Sequence, residues 1–316
     1  LLITLLGLLL PACTREPSPP STHAAAATSA PSAAGPRIVS TVPAATLNLL
    51  LLGAADELVG VTRYDTVFLP PAQQNLPVVG DYESMDYEQL AALRPTALII
   101  QIAPSRISPR LQELTSSHHI ELVNLRFDHI SDIWESARVL GRISGRQQAA
   151  EKAIASAQQD LKEIAIQYAP PPPPAKPTRV LYLVSPRLLL VAGAQTFIDE
   201  MITCAGAQNV GARAGEGFLE MGREALINLQ PDVLLIGAAD EAEMQPNDPR
   251  MTPWMTLPVP AARAKRIYLV TDGNALMASV DIARNVRTLA ELIHRGEPPD
   301  TAPFPTPPAS QPAVRP

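Results

Sequence analysis

The strongest constraint on this chain is an internal repeat. Residues 82–100, YESMDYEQLAALRPTALII, align with residues 218–236, FLEMGREALINLQPDVLLI, at an offset of 136. Seven of the nineteen positions are identical, including Met85/Met221, Glu88/Glu224, Leu90/Leu226 and Pro95/Pro231, and Tyr82 stands opposite Phe218. The leucine, isoleucine and proline matches follow from two copies of one unit, a short helix stopped by proline and followed by a buried strand. The paired glutamates and paired aromatics do not follow from packing. A first-turn glutamate is favoured by the helix dipole, which accounts for either one alone. Their recurrence suggests one acidic point per half on one surface, and one loop aromatic per half facing a shared cleft.

Strand and helix signals alternate around the repeat. Strands are predicted at 38–42, 58–62, 97–102 and 120–125, with helices at 46–52, 86–93 and 106–116 and a loop at 65–77. Residues 131–168 are apolar at helical spacing, and 146–168 predict one helix of about 35 Å, long enough to pass from one half to the other. Five prolines at 170–174 end it. The pattern then restarts, with strands at 180–184, 233–237 and 267–271, helices at 196–205, 223–229 and 280–294, and a proline-rich loop at 246–260. Such alternation implies an α/β fold with mainly parallel sheets.

Of 316 residues, 46% are hydrophobic and 18% charged, enough for a sizeable core. The net charge is −6 and there is no lysine–arginine run, which argues against a nucleic-acid partner. The 34 prolines cluster, five in 14–36, six in 170–177 and eight in 296–316, so these stretches read as spacers. Residues 1–10 are apolar but too short to span a bilayer, and fit a secretory signal. Leu10-Pro11-Ala12-Cys13 resembles a bacterial lipobox with Cys13 lipidated. The expected organisation is a signal segment and lipobox at 1–13, a tether at 14–36, an N-terminal lobe at 37–130 and an inter-lobe helical segment at 131–169. A proline-rich loop at 170–178, a C-terminal lobe at 179–295 and a proline-rich tail at 296–316 follow.

RIVSTVPAATLNLLLLGAADELVGVTRYD (37–65), LPVVGDYESMDYEQLAALRPTALII (76–100), LLLVAGAQTFIDEMITCAGAQNVGA (188–212) and FLEMGREALINLQPDVLLI (218–236) together resemble the periplasmic binding proteins of ABC importers for cobalamin, haem and ferric siderophores. The resemblance covers about 37–295. It implies two Rossmann-like α/β lobes joined by a single long helix, a ligand in the cleft between them, and little hinge motion. It further implies docking of one glutamate per lobe, here Glu88 and Glu224, onto a membrane permease coupled to an ATPase. By the same resemblance Tyr64, Tyr82, Leu190, Phe218 and Asp272 take ligand-contact positions. Tyr82, Leu190 and Phe218 replace larger rings of the cobalamin-binding members. The expectation is a monomeric, extracytoplasmic, membrane-anchored lipoprotein without catalytic activity or resident cofactor, which delivers a corrinoid. Ferric siderophore or haem, with Tyr64 or Tyr82 as a candidate iron ligand, is the alternative guest. A tethered ligand-sensing module is the alternative role.

Other residues weigh less. Arg63, Arg106, Arg126 and Arg187 lie at strand ends or loops and could grip an anionic guest, or stay solvated. His118-His119 lacks partners at metal-ligand spacing. Cys204 reads as a small buried apolar residue, Trp134 as core, and Trp254 as a loop residue able to reach the cleft rim. Asp272, before Gly273-Asn274, could also simply make a turn. The nucleophile elbow, zinc-protease, P-loop and dinucleotide motifs are absent.

Overall fold

Two parallel sheets with the same strand order organise the chain. The computed structural model describes residues 35–81, 84–237 and 251–295. The first lobe contains β1 (Ile38–Ser40), α1 (Pro43–Leu51), β2 (Leu58–Gly60), α2 (Tyr87–Ala92), β3 (Ala97–Ile100), α3 (Pro109–Ser117) and β4 (Glu121–Asn124). Its strands run in the order β2-β1-β3-β4, all parallel. Two helices follow, α4 (Ile130–Ser144) and α5 (Gln147–Gln167). The second lobe contains β5 (Arg179–Ser185), β6 (Leu190–Ala192), α6 (Phe197–Cys204), β7 (Gln208–Asn209), β8 (Phe218–Glu220), α7 (Arg223–Asn228) and β9 (Val233–Gly237). It closes with α8 (Thr252–Met255), α9 (Pro260–Arg263), β10 (Ile267–Val270) and α10 (Ile282–His294). Its parallel strands β7, β5, β9 and β10 reproduce the first order, and β6 and β8 pair antiparallel beyond the far half of β5.

The repeat is therefore structural. Helix α7 starts and ends 136 residues after α2, and β9 starts 136 residues after β3. Even the backbone strain recurs. Arg94 and Gln230, each just before the shared proline, have φ of 45° and 48°, and His119 and Lys265, two residues before β4 and β10, have 56° and 51°.

Each strand divides its side chains between two cores, as a period of two requires. Ile38, Ala97, Ile99, Val180, Tyr182, Val233 and Leu235 face one continuous apolar layer. Val39, Leu98 and Ile100 face an outer cluster with Leu90 of α2 and Leu111 of α3, while Leu181, Leu183, Leu234 and Ile236 face another with Leu226 of α7. The continuous layer belongs to both lobes, since α1, α4, α5, α6 and α10 all contribute to it. Helix α5 enters it through Ala150, Ile154, Ala157 and Ile164, spaced at 4, 3 and 7 residues on one face. At 21 residues it is about 32 Å long. Gly145, with φ of 72°, makes the left-handed turn that lets α4 fold back onto α5.

Polar contacts pin the lobes to each other. The fully buried Asn48 of α1 donates from Nδ2 to the Ala278 carbonyl (3.0 Å), and its Oδ1 accepts from the Val280 N–H (2.9 Å). Glu200 of α6 accepts from the Ile130 N–H (2.8 Å) and meets His129 Nδ1 at 2.7 Å, at the start of α4.

Several sequence expectations need correction. Helix α1 starts at Pro43 instead of 46, because proline suits the first helical position, where no N–H is needed. The stretch 188–220, read as loop apart from one helix, holds β6, β7 and β8, whose runs of two or three residues give almost no periodicity. Within the expected loop at 246–260, the described part carries α8 and the start of α9, each with proline in its first turn. Cys13, Tyr82, the tether and the tail lie outside the described residues.

Candidate functional site

In an open parallel sheet, ligands bind beyond the carboxyl ends of the strands, where the strand order reverses. In the first lobe that point lies between β1 and β3. An open cavity of about 380 Å³ lies there, lined by Thr41, Val42 and Pro43 after β1 and by Gln101, Ile102, Ala103 and Arg106 after β3. Arg106 is the one residue of this set that the sequence had singled out. Its neighbours were missed because strand-end polar residues resemble ordinary loop residues until the strand order is known.

Tyr64 follows β2 at the same margin. Its turn is built by Asp65, fully buried, whose Oδ2 accepts from the Thr62 N–H (2.6 Å) and hydroxyl (2.8 Å). The Thr62 Oγ1 in turn accepts from the Tyr64 N–H (3.1 Å). Burial pushes the Asp65 carboxyl up from the ordinary carboxylate value, against the hydrogen bonds from Thr62 that favour its charge. The Tyr64 ring is left 50% exposed. Arg63 donates to its hydroxyl at 2.7 Å, and the guanidinium carbon lies 4.8 Å from the ring centre. The Thr62-to-Asp65 spacing was the available signal for this turn.

In the second lobe Leu190 is half-buried and pairs with Ser185 at the carboxyl end of β5. Phe218 is on strand β8, not in a loop as expected, pairs with Ala192, and is 46% exposed. Leu190 and Phe218 share a sheet face with Ala192, the face turned to the continuous layer. Asp272 follows β10. Its Oδ1 accepts from the Asn274 N–H (2.9 Å) and its Oδ2 pairs with Arg284 (3.1 Å), so both oxygens serve the turn. That segment continues to Ala278 and Val280, which grip Asn48 of α1. Pro43, at the start of the same helix, lines the first-lobe cavity. The carboxyl margins of the two sheets thus meet at α1.

Glu88 and Glu224 are the second residues of α2 and α7, and both are exposed. Each helix leads back into β3 or β9, so its first turn lies at the carboxyl margin of its sheet. The Asp86 carboxylate caps α2 by accepting from the Glu88 and Gln89 N–H groups, whereas Gly222 supplies no side-chain cap to α7. Neither glutamate has an ion-pair partner among the described residues.

Trp254 is a correction: it is 7% exposed, inside the second lobe's outer core with Met251 and Leu257, so it does not reach a rim. Arg126 is exposed and paired with Asp128 at 2.8 Å. Cys204 packs against the continuous layer, and burial pushes its thiol up. Among the described residues no group of three or more His, Cys, Asp or Glu side chains is placed to hold a metal ion, and no helix is long and apolar enough to cross a membrane.

The family described as periplasmic binding protein matches residues 38–272. The chain belongs to that family. Among curated members it is similar to the uncharacterized ABC transporter substrate-binding lipoprotein YvrC of Bacillus subtilis, 26% identical over 84% of this chain and 81% of that one. It is also similar to the vitamin B12-binding protein of Pectobacterium atrosepticum, 25% identical over 71% of this chain and 78% of that one. Among solved structures, the periplasmic heme-binding protein HutB of Vibrio cholerae superimposes with a TM-score of 0.67 at 26% identity, covering 82% of this chain and 99% of that one. A periplasmic binding protein of this two-lobe kind holds its solute where the strand ends of both lobes converge, which is where α1 stands here.

Proposed function

We propose that this protein is the substrate-binding component of an ABC importer and captures a corrinoid between its lobes. Tyr64 and Phe218 carry the reading. Among the described residues they are the most exposed aromatic rings, one on each lobe. A corrin is broad and apolar on its faces, and aromatic side chains cover such faces with little loss of rotamer freedom. Leu190 and the polar rim at Gln101, Arg106 and Asp272 would set orientation, as a few polar groups do in most small-molecule sites. Glu88 and Glu224 would dock the loaded protein onto basic residues of the permease, contributing specificity and encounter rate more than affinity. Lipidation at Cys13 would hold the protein at the membrane surface.

Titration with hydroxocobalamin, followed by tryptophan emission and the corrin absorbance, tests the reading. Saturable one-to-one binding, weakened about tenfold or more in Tyr64→Ala, is expected. Absence of any saturable change overturns it.

The Arg63–Tyr64 contact favours haem as the second reading. A guanidinium donating to a phenol oxygen places positive charge where a phenolate ligand to ferric iron carries negative charge. A haem guest predicts a hemin absorbance shift that Tyr64→Phe removes, while hydroxocobalamin gives none.

A further inference from the structure

The second lobe holds a larger cavity, about 710 Å³, at the margin opposite the cleft, where the amino ends of β5, β9 and β10 emerge. Its wall is completed by residues 176–178, the end of the proline-rich segment that cleft binding leaves without a role. Four cations, Lys176, Arg179, Arg213 and Arg266, line it with one carboxylate, Asp232. Arg179 and Asp232 neutralise each other as a fork, Nε to Oδ2 at 2.9 Å and Nη2 to Oδ1 at 2.7 Å. Three positive charges are left over. Lys176 and Arg213 are exposed and have no hydrogen-bond or ion-pair partner among the described residues. Arg266 donates from Nη2 to the Ile293 carbonyl, and its Nε is buried with no hydrogen-bond partner. A buried guanidinium N–H without an acceptor is rare in folded proteins unless something else binds it.

The repeat shows that the architecture does not require this charge. His119 and Lys265 are equivalent, so Ile120 in the first lobe occupies the place of Arg266, and it is buried and apolar. Thr96, 136 residues before Asp232, accepts from the Arg37 N–H (3.0 Å) as Asp232 accepts from the Arg179 N–H (3.0 Å), without a charge.

We propose that this cavity binds a small multivalent oxyanion of phosphate or pyrophosphate chemistry, held by Lys176, Arg213 and the free Nε–H of Arg266. Guanidinium groups match such oxygens by geometry as well as charge. Three unneutralised cations suit a di- or trianion, and the volume lies within the range of small-molecule sites. The anion could be free or belong to a phospholipid headgroup.

Calorimetry of the full chain with sodium pyrophosphate at low ionic strength, beside flotation with phosphatidylglycerol vesicles, tests the site. Saturable pyrophosphate binding without flotation assigns it to a free anion, and flotation assigns it to a headgroup. Under either assignment the double variant Lys176→Gln/Arg213→Gln is expected to lose about tenfold or more in affinity. Both substitutions are at exposed positions, so the thermal midpoint and the titration of the cleft ligand should stay as in the parent protein. Failure to bind either probe overturns the proposal, as does binding that the double variant leaves undiminished.

Discussion

At the scale of single residues, the two lobes are coupled by a few side chains that no sequence pattern announces. Asn48 is one. Asn48→Ala leaves a buried carbonyl and a buried N–H without partners 230 or more residues away. Leaving such groups unpaired predicts a loss of about 2–4 kcal/mol in urea unfolding. His129 is another. Its hydrogen bond to Glu200 raises the imidazole pKa above its ordinary value. The stabilisation is then fully present below the ordinary imidazole pKa and lost as pH rises through the raised one. The thermal midpoint should decline between about pH 6 and about pH 8, and His129→Gln should remove that slope. In sequence, Asn48 looked like a polar interruption of an apolar helix, and His129 was a lone histidine. Both act through partners far along the chain, which one strand of letters does not display.

At the scale of elements, the helix–proline–strand unit was legible because period, stop signal and repeat agreed. The unit around α2 and β3 reappears residue for residue at α7 and β9. Short edge strands were not legible, nor was Phe218's place on one of them, because three residues cannot establish an alternation. Where α5 ends, the chain packs onto Gly206. A Cβ there would lie 1.6 Å from the Tyr168 carbonyl oxygen, on a backbone with φ of 72°. Gly206→Ala is expected to destabilise by about 2 kcal/mol or more, read by thermal or urea melting. The first turns of α2 and α7 invite the opposite kind of test. Charge reversal at Glu88 and Glu224 should abolish solute uptake by cells while leaving affinity in solution unchanged. A collapse of affinity would move both residues from the docking surface to the site or the fold.

At the scale of the whole molecule, one apolar layer runs through both lobes, so neither has a complete core of its own. Trp134 belongs to that layer and Trp254 to the outer core of the second lobe. Tryptophan emission and far-ultraviolet circular dichroism should therefore report one coincident unfolding transition. Two separated midpoints would mean that the lobes melt independently. The sequence anticipated two lobes and a connecting helix, but their fusion through α1, α4, α6 and α10 depends on contacts between distant segments.

The matched left-handed positions, Arg94 with Gln230 and His119 with Lys265, make the molecule its own reference. Solvent, temperature and chain length are identical for both members of a pair. Any disparity between twin substitutions therefore isolates what neighbouring side chains add to a conformational penalty.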